Sequence, residues 1–163
     1  MLELRGVSLE IHGARPLREI DLVLDKGKSL GVVGESGSGK SLTALSIMGL
    51  LPNGAVARGH ASWKGRDLLS LTEDQYRAIR GREIAMIFQD PMSSLNPSFT
   101  VGFQIDEVLK IKMGIRNAAE RRARGLSLLK EVGIPAPEER WNSYPHQMSG
   151  GMSQRVSIAM ALA

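Results

Sequence analysis

Eight consecutive residues constrain this chain more than any others: Gly34-Glu35-Ser36-Gly37-Ser38-Gly39-Lys40-Ser41. They fill every fixed position of G-x-x-x-x-G-K-[ST], and each position answers a separate physical requirement. The glycines permit backbone angles and close approaches that a Cβ forbids, so successive N–H groups can point at phosphate oxygens. Lys40 supplies a point charge for the β- and γ-phosphates of a nucleotide, and the Ser41 hydroxyl is placed to ligate Mg²⁺. A helix that starts here adds its free N-terminal amides and the positive end of its dipole. The flanks suit that reading. Lys28-Ser29-Leu30-Gly31-Val32-Val33 is a short, mostly apolar run that predicts a buried strand entering the loop. Leu42, Leu45, Ile47, Met48 and Leu51 follow at roughly helical spacing, and Pro52-Asn53-Gly54 predicts the stop. The competing reading is a flexible Gly/Ser turn, and the strand–loop–helix setting argues against it.

Around this centre the chain divides into regions of different periodicity. Leu2, Leu4, Val7, Leu9 and Ile11 nearly alternate, as do Ile20, Leu22 and Leu24, so residues 1–33 read as strands, with Asp25-Lys26-Gly27-Lys28 as a hairpin-type turn. Strand character returns at Ala61-Ser62-Trp63. Thr72 and Gln75 then stand at capping-box spacing ahead of a short helix, and Ile84-Ala85-Met86-Ile87-Phe88 predicts a second buried strand. From about Pro91 to Gln147 the pattern is helical and has the look of an insertion. Phe103, Val108, Leu109 and Met113 can share one face, and Leu126, Leu129 and Val132 mark another helix that Gly133-Ile134-Pro135 ends. Ser153 to Ala163 is a strong helix former.

Composition excludes several classes. A chain of 163 residues has the size of one domain, and its 42% apolar and 23% charged content is that of a globular protein. There is no cysteine, so disulfides and thiolate metal sites are ruled out. No apolar run approaches the ~20 residues of a membrane helix, and Met1-Leu2-Glu3-Leu4-Arg5-Gly6 lacks the pattern of a signal peptide. Lys and Arg number 21 against 17 Asp and Glu, with much of the excess at Lys110, Lys112, Arg116, Arg121, Arg122, Arg124 and Lys130. Nucleic-acid binding is one reading of that run. A solvated helix face is favoured, because no aromatic residue interleaves the charges as a stacking platform.

A phosphate loop alone leaves GTPases, kinases, helicases and transporters open, and two further stretches narrow the choice. Gln89 closes the apolar run and is followed by Asp90-Pro91-Met92-Ser93-Ser94-Leu95-Asn96-Pro97. An amide at the carboxyl end of such a strand lies where α/β sheets bind ligands, within reach of a metal-bound water or a phosphate oxygen. Met148-Ser149-Gly150-Gly151-Met152-Ser153 then precedes the last helix, forming a second serine–glycine anion nest with Ser149 as N-cap. One nucleotide does not need two such cradles in one chain. Two copies arranged head-to-tail would use both.

On these residues the chain resembles the ATP-binding subunit of an ABC transporter, and more narrowly that of the oligopeptide, dipeptide and nickel importers. Gly34–Ser41 matches that family's Walker A loop. Ile87-Phe88-Gln89-Asp90-Pro91 with Ser94-Leu95-Asn96-Pro97 is similar to its Q-loop region. Tyr144-Pro145-His146-Gln147-Met148-Ser149-Gly150-Gly151-Met152-Ser153-Gln154-Arg155 resembles its signature stretch. The resemblance implies an α/β fold, a P-loop NTPase of ABC type. Residues 1–90 would form an antiparallel β subdomain plus the phosphate-loop core, residues 91–147 an inserted helical subdomain, and residues 148–163 the signature motif and its helix. It also implies ATP and Mg²⁺ as ligands. Gly34, Gly37, Gly39, Lys40 and Ser41 would hold phosphates, with Ser36, Ser38 and Thr43 lining the loop, and Mg²⁺ would fall to Ser41 and Gln89. Gln89 would sense the γ-phosphate, while Ser149, Gly150 and Gly151 would reach ATP held by an opposite subunit. The implied partners are a second ATPase subunit, transmembrane permease subunits and, indirectly, a solute-binding protein, at the cytoplasmic face of the cell (inner) membrane. Nucleic acid is not expected.

The sequence departs from the family pattern in places. His12 stands where an aromatic residue commonly stacks adenine, and Met148 and Met152 replace more usual residues. The apolar strand ending in Asp-Glu, the aspartate loop and the switch histidine that follow the signature in the family are not within these residues. The carboxylate that orients the attacking water is thus absent, and the expectation is a chain that binds ATP but hydrolyses it poorly. The sheet neighbours of the phosphate-loop strand would also be lacking, leaving unpaired edges and exposed apolar surface. Two other readings stay open: a non-catalytic nucleotide-binding remnant, and an ABC-type ATPase acting on nucleic acid or ribosomes.

Overall fold

The structure is a computed structural model and describes residues 1–89 and 94–163. Two compact units are present, Met1–Arg80 and Gly81–Ala163.

The first unit is built on alternation that is interrupted within its strands. Strand β1 (Leu2–Ile11) buries Leu4, then Val7 and Leu9, a change of parity that simple alternation cannot give. The register shift between Leu4 and Val7 supplies it, and Gly6 sits in the shift at φ 56. Across from it, Gly59 (φ 98) approaches so closely that a Cβ would collide with the Gly6 carbonyl. Strand β2 (Ala14–Leu24) pairs antiparallel with β1, and Ile11 opposite Ala14 leaves a two-residue turn, His12-Gly13. Both turn residues have positive φ, 48 and 82, as a type I′ hairpin turn requires. Strand β3 (Ala55–Trp63) pairs with the other edge of β1, and the two-residue β4 (Arg66–Asp67) folds back on β3. The order is β2-β1-β3-β4, antiparallel throughout.

Helix α1 (Lys40–Met48) follows the phosphate loop, and α2 (Glu73–Ile79) begins with the expected capping box. There the Gln75 amide donates to Thr72 Oγ1 at 3.4 Å, and the Thr72 amide donates to Gln75 Oε1 at 2.8 Å. Leu4, Val7, Leu9, Leu17, Met48, Ala61, Leu68, Tyr76 and Ile79 form the buried apolar set of this unit.

Two expected strands are not formed. The Asp25–Lys28 turn exists, closed by the Lys28 amide on the Asp25 carbonyl at 3.1 Å, but residues 28–33 after it are irregular. Leu30, Val32 and Val33 are 46%, 56% and 96% exposed. Residues 85–88 are likewise irregular, with Ile87 and Phe88 exposed. Among the described residues neither run is paired in a ladder, and a strand without a ladder partner has nothing to satisfy its amides except water.

The second unit is helical: α3 (Val101–Ile111), α4 (Ala118–Glu131), the single turn α5 (Pro137–Arg140) and α6 (Gly150–Leu162). Thr100 caps α3, Asn117 caps α4, and Gly133 at φ 73 follows the end of α4. Trp141 is wedged against α3 and α4 at two glycines, Gly102 and Gly125, where any Cβ would strike the indole. Around it lie Val101, Ile105, Leu109, Leu128, Leu129, Val156 and Ala159, all fully buried. The buried stripe of α3 is Val101, Ile105 and Leu109, an i, i+4, i+8 row. Phe103 and Met113, expected on the buried face, are exposed instead, and Phe103 stacks on Phe99 with ring centroids 4.6 Å apart. The basic run is partly consumed inside this unit. Arg121 pairs with Asp106 at 2.7 Å and donates to the Ile115 and Arg116 carbonyls, while Arg122 lies over the Trp141 ring.

Candidate functional site

The phosphate loop is shaped by three glycines in different ways. Gly37 (φ 82) faces open space, so only its backbone angle demands glycine. Gly39 (φ 93) also lies against β2: a Cβ there would collide with Leu17 Cδ2 and come within 3.2 Å of the Pro16 carbonyl oxygen. At Gly34 a Cβ would approach Ser38 Oγ to 2.6 Å. A turn from the Ser38 amide to the Glu35 carbonyl, at 3.2 Å, folds the loop over. Lys40 bends back across it, with Nζ donating to the carbonyls of Gly34 and Glu35 at 2.6 and 2.7 Å and to Ser38 Oγ at 3.2 Å.

Helix α1 leaves its N-terminus available. Gly39 is the N-cap, no side chain caps the first amides, and no acidic residue stands in the first turn. Ser41 and Ser36 are exposed, while Thr43 is buried and bonds the Gly39 carbonyl through both its amide (2.8 Å) and its hydroxyl (3.1 Å). Thr43 is thus a brace that fixes Gly39. The combination of left-handed glycines, uncapped amides, an ammonium and exposed hydroxyls fits a phosphate ester with its Mg²⁺, hydroxyl oxygen being a donor type that this hard cation takes.

The other expected residues fall elsewhere. Ser149 caps α6, accepting the Met152 amide at 3.3 Å. Ser149, Gly150 and Gly151 are exposed, and a Cβ at either glycine would meet open space. Arg155 ties the same helix to the end of α4, donating to the Gly133 carbonyl at 2.9 Å. Gln89 is exposed at the end of residues 85–89 in the second unit; Asp90, Pro91, Met92 and Ser93, which complete its motif, lie outside the described residues. His12 is exposed in the β1–β2 turn, beside Gly54, where a Cβ would come within 3.1 Å of its Cε1. The structure therefore brings Gly34, Ser38, Gly39, Lys40 and Thr43 into one bonded or contacting group. Sequence reasoning missed the support beneath it, Pro16 and Leu17, because no local pattern relates β2 to a loop more than twenty residues on.

A protein-family model described as ABC transporter matches residues 17–163. This chain belongs to the ABC transporter family. Among similar proteins, it is 51% identical over 152 residues to the dipeptide transport ATP-binding protein DppD of Escherichia coli (strain K12), covering 91% of this chain and 46% of that protein. It is 50% identical over 163 residues to the oligopeptide transport ATP-binding protein OppD of Bacillus subtilis (strain 168), covering 97% of this chain and 45% of that one. The chain thus spans about half the length of these curated relatives. Among solved structures, the ATP-binding cassette MJ0796, a dimer in a post-hydrolysis state bound to ADP and Pi, superposes with a TM-score of 0.85 at 30% identity, covering 100% of this chain and 69% of that one. The fold is that of an ABC-type α/β cassette, with its antiparallel sheet in the first unit and the longer helices in the second. Among the described residues no helix is long and apolar enough to cross a membrane.

Proposed function

We propose that this ABC transporter family chain is the nucleotide-binding part of an ATPase subunit that energises peptide import. The observation that carries the reading is the phosphate loop, in which Lys40 reaches back across residues 34–38, Gly37 and Gly39 take left-handed angles, and no side chain caps α1. Supporting it is the identity of about half the residues to proteins named for dipeptide and oligopeptide transport. ATP supplies a triphosphate whose charge the loop must neutralise. Lys40 would exchange its carbonyl partners for β- and γ-phosphate oxygens, the amides of α1 would donate to the same chain of oxygens, and the Ser41 hydroxyl would ligate Mg²⁺. Gly34, Ser36 and Ser38 would line the cradle, and His12 would lie against the adenine.

The exposed Ser149, Gly150 and Gly151 would face the nucleotide of a second ATPase subunit, so the working unit is a dimer at the cytoplasmic face of the membrane, docked on permease subunits and served indirectly by a solute-binding protein. The family pattern puts the carboxylate that orients the attacking water on a strand after the signature stretch, and residues 1–163 do not include that strand. Binding is therefore the expected readout for this chain, and turnover is expected to be low. The test is titration of a fluorescent ATP analogue with and without Mg²⁺. Saturable, Mg²⁺-dependent binding that Lys40→Ala weakens at least about tenfold, the size of a charge-assisted hydrogen-bond loss, supports the reading. Absence of binding, or binding indifferent to Lys40, refutes it. Rapid Mg²⁺-dependent turnover by the chain would overturn the expectation of low activity.

A further inference from the structure

Helix α1 is treated differently at its two ends. Its N-terminus is bare, but its C-terminus is held on every side. The Leu50 amide reaches the Leu45 carbonyl at 2.9 Å and the Gly49 amide reaches Ser46 at 3.2 Å, with Gly49 left-handed at φ 61, the paired bonds of a Schellman end. Among the carbonyls that this motif leaves over are those of Met48 and Gly49, and α1 has no basic residue in its own last turn. Arg80, more than thirty residues later, takes both: Nε donates to the Met48 carbonyl and Nη2 to that of Gly49, each at 2.8 Å. Its third nitrogen, Nη1, pairs with Glu73 Oε1 at 2.8 Å, and the guanidinium lies 4.7 Å from the Tyr76 ring centroid. Tyr76 in turn presses on Gly49, where a Cβ would collide with the ring. The Arg80 side chain is only 17% exposed.

From this we infer that Arg80 is a positioning residue for the phosphate loop, acting through α1. The inference rests on the phosphate-binding reading of that loop and adds a residue that no motif marks. A nine-residue helix is about 13 Å long. Tilting it about 10° around its held end would move its first amides by about 2 Å, more than a hydrogen bond tolerates. The guanidinium fork fixes two adjacent carbonyls, and so sets the direction of the axis as well as its end point; a positive charge there also complements the dipole whose other end faces the anion. A lysine could supply the charge but not the fork.

Amide hydrogen exchange on the free chain tests this without any nucleotide. Arg80→Ala is expected to speed exchange of the α1 amides from Leu45 to Leu50 about 10- to 100-fold, the range for losing charge-assisted bonds, while the β1–β3 ladder is unchanged. Arg80→Lys should restore only part of the protection. With a fluorescent ATP analogue, Arg80→Ala should weaken ATP binding at least about tenfold while leaving competition by adenosine unchanged, because only the phosphate contacts depend on the axis of α1. Should Arg80→Ala fail to fold, Glu73→Gln removes the ion pair that anchors the third nitrogen of the guanidinium and is expected to shift α1 exchange in the same direction by a few-fold. Unchanged α1 exchange in the folded variants, an equal rise across the sheet, or equal losses for ATP and adenosine would overturn the proposal. If the unsubstituted chain bound no ATP, the functional reading would fall, while the exchange comparison would still decide the role of Arg80.

Discussion

Gly37 and Gly39 stand two residues apart in one loop with similar backbone angles, φ 82 and 93, yet the structure assigns them different costs of substitution. At Gly37 an added methyl meets nothing within 4 Å, so Gly37→Ala carries only the left-handed backbone penalty, about 1–2 kcal/mol. At Gly39 the same methyl is driven into Leu17, which is 1% exposed and cannot retreat into solvent, and toward the Pro16 carbonyl. Overpacking of that kind costs about a further 1–3 kcal/mol. The gain from restricting the unfolded chain is common to both variants and cancels in their difference. Gly39→Ala should therefore lie about 1–3 kcal/mol below Gly37→Ala in stability. For a domain the size of Met1–Arg80 each kcal/mol lowers the melting midpoint by about 4–8 °C. The two tryptophans provide the assay, since Trp63 belongs to β3 in the first unit and Trp141 to the helical unit. In a chain labelled with 5-fluorotryptophan, ¹⁹F resonances followed against temperature report each unit separately. The Trp63 transition should fall further for Gly39→Ala than for Gly37→Ala. Equal midpoints would show that packing on Leu17 does not set the shape of the loop, and the steric argument would be wrong.

Three other outcomes follow from single contacts. Ser149→Ala removes the cap on the Met152 amide and should cost about 1 kcal/mol in urea denaturation followed at Trp141, with Ser149→Asp restoring most of it. Gly125→Ala should reverse sign with its background: a Cβ there strikes Trp141 and comes within 3.1 Å of Ile105 Cγ2, so it destabilises the natural chain, whereas in Trp141→Ala the helix-propensity gain of about 1 kcal/mol remains, a coupling read by a double-mutant cycle. The hydrogen bond from Arg80 holds the Glu73 carboxyl below its ordinary value of 4.5. With the folded value depressed, the stabilisation is complete above the unfolded value and is lost as pH falls through the folded one. Denaturation midpoints from pH 7 down to 3 should therefore show an acid limb that Glu73→Gln flattens; identical limbs would remove Glu73 from the account.

What the sequence made legible is what short-range chemistry dictates. The phosphate loop could be read because its glycines, lysine and serine must be contiguous to surround one anion. The Thr72–Gln75 box could be read because a cap reaches only three residues. The break in alternation between Leu4 and Val7 was visible as a parity change, although the Gly6–Gly59 approach that accommodates it joins residues more than fifty apart. The slot for Trp141 was not legible. Gly102, Gly125 and Trp141 belong to different helical segments, and a glycine inside a helix reads equally as a weak point or as a place of close packing. Periodicity likewise served α3 only in part: of the face read as Phe103, Val108, Leu109 and Met113, Leu109 is fully buried, but Phe103 and Met113 are exposed and the core took Val101 and Ile105 beside Leu109.

The runs Leu30–Val33 and Ile84–Phe88 show why apolar composition alone does not make a strand. A helix satisfies its amides from within, so α1 forms as soon as its residues permit. A strand needs a neighbour, and among the described residues neither 30–33 nor 85–88 is paired in a ladder. Both runs have the composition of strands buried on two faces. Yet Val33 is 96% exposed, and Leu30 and Val32 line an open apolar cleft of about 180 Å³ with Leu2, Leu22, Leu24 and Ile47. Burying such side chains would be favourable at about 25 cal/mol for each Å² of apolar surface covered. Their sequence therefore records an environment that these residues do not themselves supply. The phosphate loop is not subject to the same shortfall. Its glycine angles, the Thr43 brace, the Leu17 floor and the Arg80 fork all come from Met1–Arg80, and the cradle takes its shape from those contacts although residues 28–33, which lead into it, are irregular.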